Sequence, residues 1–386
     1  MKEKYKVAYV SGTRADYGIV RKYLKLLNSD GNIDFSVLVT GAHLERRFGR
    51  TVEVIHGDGF TVGEEFPIEI DNETTSGVIS SMSRALSLFG EHFEKNKYDL
   101  LIVLGDRYEI LAATIAAAMQ KIPILHLHGG EITLGNYDEF IRHSITKMSR
   151  YHFTSTEQYR KRVIQLGESP ERVFYMGSLG AENAREIDAS SVDKSVLSLQ
   201  RNEYFTVLYH PETLTDSDLS KEADTLLSVL SSFTDKYKVV LIGSNADTGA
   251  GIISKRFKKE AEENNRFLYY ESLSPDTYLY LVKNSIALIG NSSSGIIEAP
   301  SLDTYTVNIG KRQDGRIRAD SVFDVRCRND EIKEAILKAI ERKRTHSPII
   351  NPYYKENAAE NYYRKTLEIL LMSKETPKEF YDITPL

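Results

Sequence analysis

Cysteine is nearly absent from this chain of 386 residues: Cys327 stands alone. A single thiol excludes an intramolecular disulfide framework and a cysteine-rich metal site, and it points to a reducing compartment, with the cytoplasm as the default. Basic excess is absent too, since 50 Lys and Arg face 55 Asp and Glu, for a formal charge of −5 and a pI near 6.1. Such a chain has no broad positive field for nucleic acid or an anionic membrane, so an anionic ligand must be held by a local site. Long apolar runs are missing as well. ILAATIAAAM is too short to span a bilayer, and MKEKYKVAYVSGTRADYG turns polar too soon for a secretory signal. We therefore expect neither secretion nor membrane insertion. Low-complexity tracts are lacking, and 41% hydrophobic with 27% charged residues describes a chain that buries a sizeable core.

What is present is a repeated plan. At about 150 residues per domain the length suggests two or three domains, and two is the working number. Short β-branched and apolar runs alternate with helix-length amphipathic segments and end in small polar residues, the rhythm of βαβ units. In the first half the strands are read at YKVAYVSG, FSVLVTG, DLLIVLGD, IPILHLHGG, YHFTST and RVFYMGS, with helices over 17–27, 77–93, 108–119, 138–148 and 157–166. The pattern lapses at GSLGAENAREIDASS, which is small and polar without apolar periodicity. It resumes at YFTVLYHP, YKVVLIGS, RFLYYES, SIALIGNSSSG and DTYTVNIG. The fold class is thus α/β, with two Rossmann-like domains over 1–177 and 178–352 facing a central cleft, and a C-terminal amphipathic helix over 353–386.

Ligands of such sheets sit beyond the carboxyl ends of the strands. SGTRADYG follows the first strand, where backbone N–H groups and Arg14 can receive a phosphate. It is not GxGxxG, and no acid closes the second strand, which argues against an adenine dinucleotide; a βα turn with a surface arginine is the alternative. LIGNSSSGIIEAP suits a diphosphate at Ser292, Ser293 and Ser294 and ribose hydroxyls at Glu298, the alternative being an ordinary serine-rich helix cap. LIVLGDRYEI places Asp106 and Arg107 at a strand tip, either in a site or capping the next helix.

HLHGGEITLGNYDEFIRH is the densest stretch. His128, Glu131 and Asp138 lie on or beside a glycine loop, and Arg142 and His143 follow on a helix. HxHxxE lacks the i, i+4 histidine pair of zinc proteases, so no metal is expected. Structural packing, with Asp138 and Arg142 as a surface pair, remains open beside acid–base chemistry, in which grouped carboxylates and imidazoles divide the accepting and donating of protons.

Taken in order, SGTRADYG, LGDRYE, HLHGGEIT, DEFIRHSITKMS, YHPETL, GSNADTG and GNSSSGIIEAPSL resemble the hydrolysing UDP-N-acetylglucosamine 2-epimerases of bacterial sialic acid synthesis, over nearly the whole chain. The resemblance implies the two-domain B-type glycosyltransferase fold, no cofactor (neither metal nor nicotinamide), and a homodimer. It also implies conversion of UDP-N-acetylglucosamine and water to N-acetylmannosamine and UDP through a glycal. By motif, Asp106 and Asp138 match acid–base carboxylates and His210 a histidine near the diphosphate. Ser292, Ser293 and Glu298 match contacts to uridine diphosphate, and Arg14, Arg107, Asn245 and Arg312 match positions near the nucleotide. Where many members carry a catalytic glutamate this chain has His128. The proton work is therefore expected of Asp106, Glu131 and Asp138 with His128 assisting, His128 as the principal acid or base being the alternative.

With the nucleotide on the second domain and the acids on the first, catalysis is expected to need cleft closure about a hinge near 177–184. By resemblance the C-terminal helix returns to the first domain. The rival readings are the same reaction on UDP-N,N′-diacetylbacillosamine, a non-hydrolysing epimerase, a glycosyltransferase of the same fold and a non-catalytic sensor of nucleotide sugars.

Overall fold

The computed structural model describes residues 4–134, 137–212, 218–243, 249–345, 348–372 and 377–383. The two parallel sheets expected from the apolar runs are both present. The first contains Tyr5–Ser11 (β1), Ile33–Thr40 (β2), Val62–Phe66 (β3), Leu100–Leu104 (β4), Ile124–Leu127 (β5), Tyr151–Thr154 (β6) and Val173–Tyr175 (β7), in the order β3-β2-β1-β4-β5-β6-β7. The second contains Tyr204–Leu208 (β8), Lys238–Ile242 (β9), Phe267–Tyr270 (β10), Ala287–Gly290 (β11), Tyr305–Ile309 (β12) and Val322–Val325 (β13), in the order β10-β9-β8-β11-β12-β13. Every pairing is parallel. The strand order reverses at β1/β4 and at β8/β11, the neighbours whose tips a doubly wound sheet offers to a ligand.

The helices are Arg14–Asn28 (α1), Val52–Gly57 (α2), Thr75–Lys95 (α3), Tyr108–Met119 (α4), Asp138–Met148 (α5), Glu157–Gln165 (α6), Leu179–Asn183 (α7), Leu219–Ser231 (α8), Ala250–Glu263 (α9), Pro275–Asn284 (α10), Ser294–Ile297 (α11), Asn329–Thr345 (α12) and Ala358–Leu371 (α13). Their starts follow the capping residues. Thr13, Thr74, Thr156, Asp218 and Ser274 each accept a backbone N–H of the first turn. Thr13 therefore begins α1 at Arg14, ahead of the 17 expected from apolar spacing. β3 and β13 escape the sequence reading because VGEEF and VFDV are half-exposed edge strands, where charge blunts the edge and no apolar run forms. The segment read as an unstructured boundary holds the short helix α7.

The chain divides into two compact units, Met1–Glu131 with Asp138–Leu179 and Lys355–Leu386, and Ile132–Tyr137 with Gly180–Tyr354. In the first, Val7, Tyr9, Val37, Val39, Ile102 and Leu125 form the sheet's part of a core that α13 joins through Ala358, Tyr362 and Ile369. The Tyr362 ring meets Tyr23 at 5.6 Å and Phe153 at 5.0 Å, and its hydroxyl donates to Gly177 O at 2.8 Å. The second core gathers Phe205, Val207, Leu241, Ile289 and Val307 between α8, α9 and α12. Ile132–Tyr137, the excursion between β5 and α5, groups with this second unit. Leu134 N–H donates to Asp314 O at 3.2 Å, and Ile132 occupies the space where Gly315, at φ +87°, has no Cβ.

Candidate active site

In the first unit the charged groups sit at the carboxyl ends of β1, β4 and β5. β4 is wholly buried and stops at Gly105, whose φ of +75° turns the chain outward and leaves Asp106 and Arg107 at the tip. Asp106 is ion-paired with Arg142 of α5, which is 1% exposed. The alternative in which Asp106 caps α4 does not hold, because the N-cap position is Arg107 and no side chain bonds there. Nor is Arg142 part of a surface pair. Its Nη1 donates to Glu131 O at 2.9 Å and to Glu139 Oε2 at 3.2 Å. One buried guanidinium thus holds the loop after β4, the loop after β5 and the first turn of α5, where Asp138 and Glu139 stand.

β5 delivers His128, Gly129, Gly130 and Glu131. His128 adopts φ +65°, a left-handed conformation that costs a side-chain-bearing residue roughly 1–3 kcal/mol. Gly130, at φ +79°, packs so closely that a Cβ there would lie 2.6 Å from Tyr159 O. Glu131 is 2% exposed; its Oε1 accepts from Ser155 Oγ at 2.7 Å and lies 3.8 Å from His128 Nδ1. Ser155, at the tip of β6, is a supporting residue that sequence reasoning passed over. Its only signal was a hydroxyl directly after a buried strand.

His126 is another. Burial pushes its pKa down to about 3, so the ring is neutral. Its Nε2 donates to Gly105 O at 2.8 Å and its Nδ1 accepts from Thr146 at 3.1 Å, pinning the turn that carries Asp106 to β5 and α5. Just after β1, Thr13 accepts from Asp16 N–H at 3.2 Å and donates to the Asp16 carboxylate at 2.7 Å, and Arg14 follows with its pKa lowered by burial. Desolvation raises the Asp16 pKa to about 6, with Arg107 opposing the rise and Glu109 and Asp106 adding to it.

The second unit presents hydroxyls, amides and cations, with Glu212 and Glu298 beside them. β8 leads to His210 and Glu212, and β11 to Asn291, Ser292, Ser293 and Ser294. Asn291 is fully buried and clamps the two tips: its Oδ1 accepts from His210 N–H at 2.7 Å and its Nδ2 donates to His210 O at 2.8 Å. The Asn291 carbonyl accepts from Arg312 at 3.3 Å and from Gln313 at 2.9 Å. Glu212 accepts the backbone N–H of Lys311 at 2.6 Å and of Arg312 at 3.1 Å, which fixes the loop bearing Arg312. Asn291 stands at a strand tip where the sequence directs attention, but its clamping of His210, like the part played by Gln313, lies in contacts between distant loops that the sequence does not reveal.

The serine-cap alternative is not realised by Ser293, the N-cap of α11, which makes no side-chain cap bond; Ser294 N–H reaches Ser292 Oγ at 3.3 Å. Ser294 is 9% exposed, and its hydroxyl has no hydrogen-bond partner among the described residues. Glu298 lies against Gly180 of α7, which lacks the Cβ that would displace it. Asn245 lies outside the described residues. No group of three or more His, Cys, Asp or Glu among the described residues is arranged to hold a metal ion, and no described helix is long and apolar enough to cross a membrane.

The arrangement in the first unit can move protons, and that in the second can hold an anion. The chain is also similar to known proteins. The family model described as UDP-N-acetylglucosamine 2-epimerase matches residues 25–366. Across 98% of this chain and 97% of the relative, 46% of residues are identical to those of polysialic acid biosynthesis protein P7 of Escherichia coli. GDP/UDP-N,N′-diacetylbacillosamine 2-epimerase (hydrolyzing) of Campylobacter jejuni subsp. jejuni is 37% identical over 83% of this chain and 84% of its own. The fold is similar to that of S. aureus MnaA solved with UDP, at a TM-score of 0.79 and 17% identity, covering 97% of this chain and 100% of that one.

Proposed function

The chain belongs to the UDP-N-acetylglucosamine 2-epimerase family, and from that premise we propose that it is a hydrolysing 2-epimerase making N-acetylmannosamine and UDP from UDP-N-acetylglucosamine and water. The reading sets it in sialic acid synthesis for a capsule polysaccharide, as a cytoplasmic homodimer that needs no metal or nicotinamide. One observation carries it: buried Arg142 binds Asp106, the Glu131 carbonyl and Glu139 together, so that acids from two strand tips and one helix form a fixed group.

In this mechanism a carboxylate of that group takes the proton from sugar carbon 2 as the bond from carbon 1 to the UDP oxygen breaks. The product is a glycal. Water then gives its hydroxide to carbon 1, and a proton is delivered to the opposite face of carbon 2, which inverts that centre. Asp106, Glu131 and Asp138 share the proton work and His128 assists. The short Ser155 bond and the nearby imidazole hold the Glu131 carboxylate in one orientation, which suits a group that must act in a fixed direction.

The leaving diphosphate gains negative charge, and donors preset around it stabilise that charge without reorganising. Arg14, Arg107, His210, Arg312 and the Ser292–Ser294 segment fill this role, with Glu298 on the ribose and Asn245 near the nucleotide. Hydrogen bonds to a charged group are worth about 1.5–3 kcal/mol each, so the cradle contributes on the scale of the base.

A second reading is the same reaction on UDP-N,N′-diacetylbacillosamine, favoured by the likeness to the Campylobacter jejuni enzyme. Incubating the pure protein with each UDP-sugar, without any acceptor, and following products by proton NMR tests both. UDP with free N-acetylmannosamine supports the first reading. Faster turnover of the bacillosamine sugar selects the second, and accumulation of UDP-N-acetylmannosamine overturns the hydrolysing scheme.

A further inference from the structure

Glu109 has no part in the mechanism above, and its surroundings are unusual for a helix residue. α4 reads YEILAATIAAAM, apolar along almost all its length, yet this carboxylate sits fully buried in its first turn. A buried carboxylate destabilises a fold unless its charge and lone pairs are met. Oε1 accepts from Arg107 Nε at 2.5 Å, whereas Oε2 meets no hydrogen-bond partner among the described residues.

The backbone is shaped around the same group. A Cβ on Gly12 would lie 2.7 Å from Glu109 Oε1 and 3.2 Å from its Cγ. A Cβ on Gly41, at φ +63°, would lie 3.2 Å from Oε1 and 2.8 Å from Gly12 O. The turns after β1 and β2 both forgo a side chain, and the space goes to a carboxylate from the helix after β4. Packing alone does not account for this, since a leucine or glutamine would fill the volume without a buried charge.

Arg107 gives the reason. It occupies the N-cap position in extended conformation, φ −83° and ψ 151°, without capping the helix, and its side chain turns back to a residue two places on. Guanidinium donors form a rigid planar fork, so a bond to Nε fixes the direction of all the others. Resting on the UDP-sugar reading, we propose that Glu109 is a positioning residue: it clamps Arg107 through Nε and thereby sets the Nη edge of the guanidinium at the angle that binds the nucleotide's diphosphate.

The test is UDP binding by titration calorimetry alongside steady-state kinetics on UDP-N-acetylglucosamine. Glu109→Leu removes the clamp, and the Kd for UDP should rise about tenfold while kcat/KM falls by at least that factor, because Arg107 also meets the charge that develops as UDP leaves. In an Arg107→Met background the same change should have no further effect on the Kd, because the clamp then has nothing to hold. An unchanged Kd in Glu109→Leu, or an equal loss in both backgrounds, would overturn the proposal. Should Glu109→Leu fail to fold, Glu109→Gln goes through the same cycle, with a smaller rise expected and the same outcome required in the Arg107→Met background. Wild-type protein that does not bind UDP would remove the functional reading as well, whereas binding that ignores Glu109 would remove this inference alone.

Discussion

Asp106 and Arg142 form an ion pair across 36 residues of sequence, with the arginine only 1% exposed. The pair distinguishes chemistry from scaffolding. Asp106→Asn keeps a side-chain oxygen near Arg142 but removes the acid, and turnover should fall by about 10²–10⁴ while calorimetry shows UDP still bound. Asp138→Asn should behave alike. Arg142→Met instead strips two loops and the first turn of α5 of their shared cation, and chemical unfolding should show a loss of about 3 kcal/mol. Wild-type turnover in either asparagine variant would remove that residue from the proton-transfer group.

The loop of His128 and Glu131 depends on Gly130. Because the atom that a new Cβ would meet is the backbone oxygen of Tyr159, neither side can relax cheaply. Gly130→Ala should shift the loop and lower kcat at least about tenfold, a 1.4 kcal/mol change in barrier, while UDP affinity stays close to that of the wild type. Equal kcat would show that the loop geometry is not used.

Acid should destabilise the fold through two histidines. Burial holds the His126 pKa at about 3 and the His43 pKa at about 4, so the folded chain refuses protons that the unfolded chain accepts near pH 6.5. Their contribution is complete above about pH 6.5 and is lost as pH falls toward 4, at up to roughly 1.4 kcal/mol per pH unit for each. Asp16 has the opposite sign. Raised to about 6, it takes up its proton in the folded state first, and so adds stability as pH falls through 6. Two losses against one gain leave a net fall. Urea midpoints at pH 7.5 and 5 should show it, with a steeper fall in Asp16→Asn; equal midpoints at the two values would contradict the assignment.

Elimination and readdition exchange the hydrogen on sugar carbon 2. In deuterated water the N-acetylmannosamine should carry deuterium there, read by NMR or mass spectrometry. Full retention of protium would end the glycal scheme.

Much of this architecture was legible because parallel strands are buried on both faces and read as continuous apolar runs. Helices such as Tyr108–Met119 and Asp138–Met148 have boundaries that composition and spacing locate to the residue. Edge strands bearing Glu64, Glu65 and Asp324 carried no such run. The strand-tip rule led to Asp106, His128, Glu131 and the serines, since it needs only a strand and its next few residues. It could not show what steadies them. Ser155 reaches Glu131 across 24 residues and Asn291 reaches His210 across 81, and contacts that distant leave no periodic trace in a single sequence.

The left-handed backbone at His128 carries a consequence for drift. Glycine would occupy that position with greater ease than histidine does, so random substitution has a downhill route away from the imidazole. A lineage that ceased to use this ring would be expected to shed it early and to gain thermal robustness in doing so.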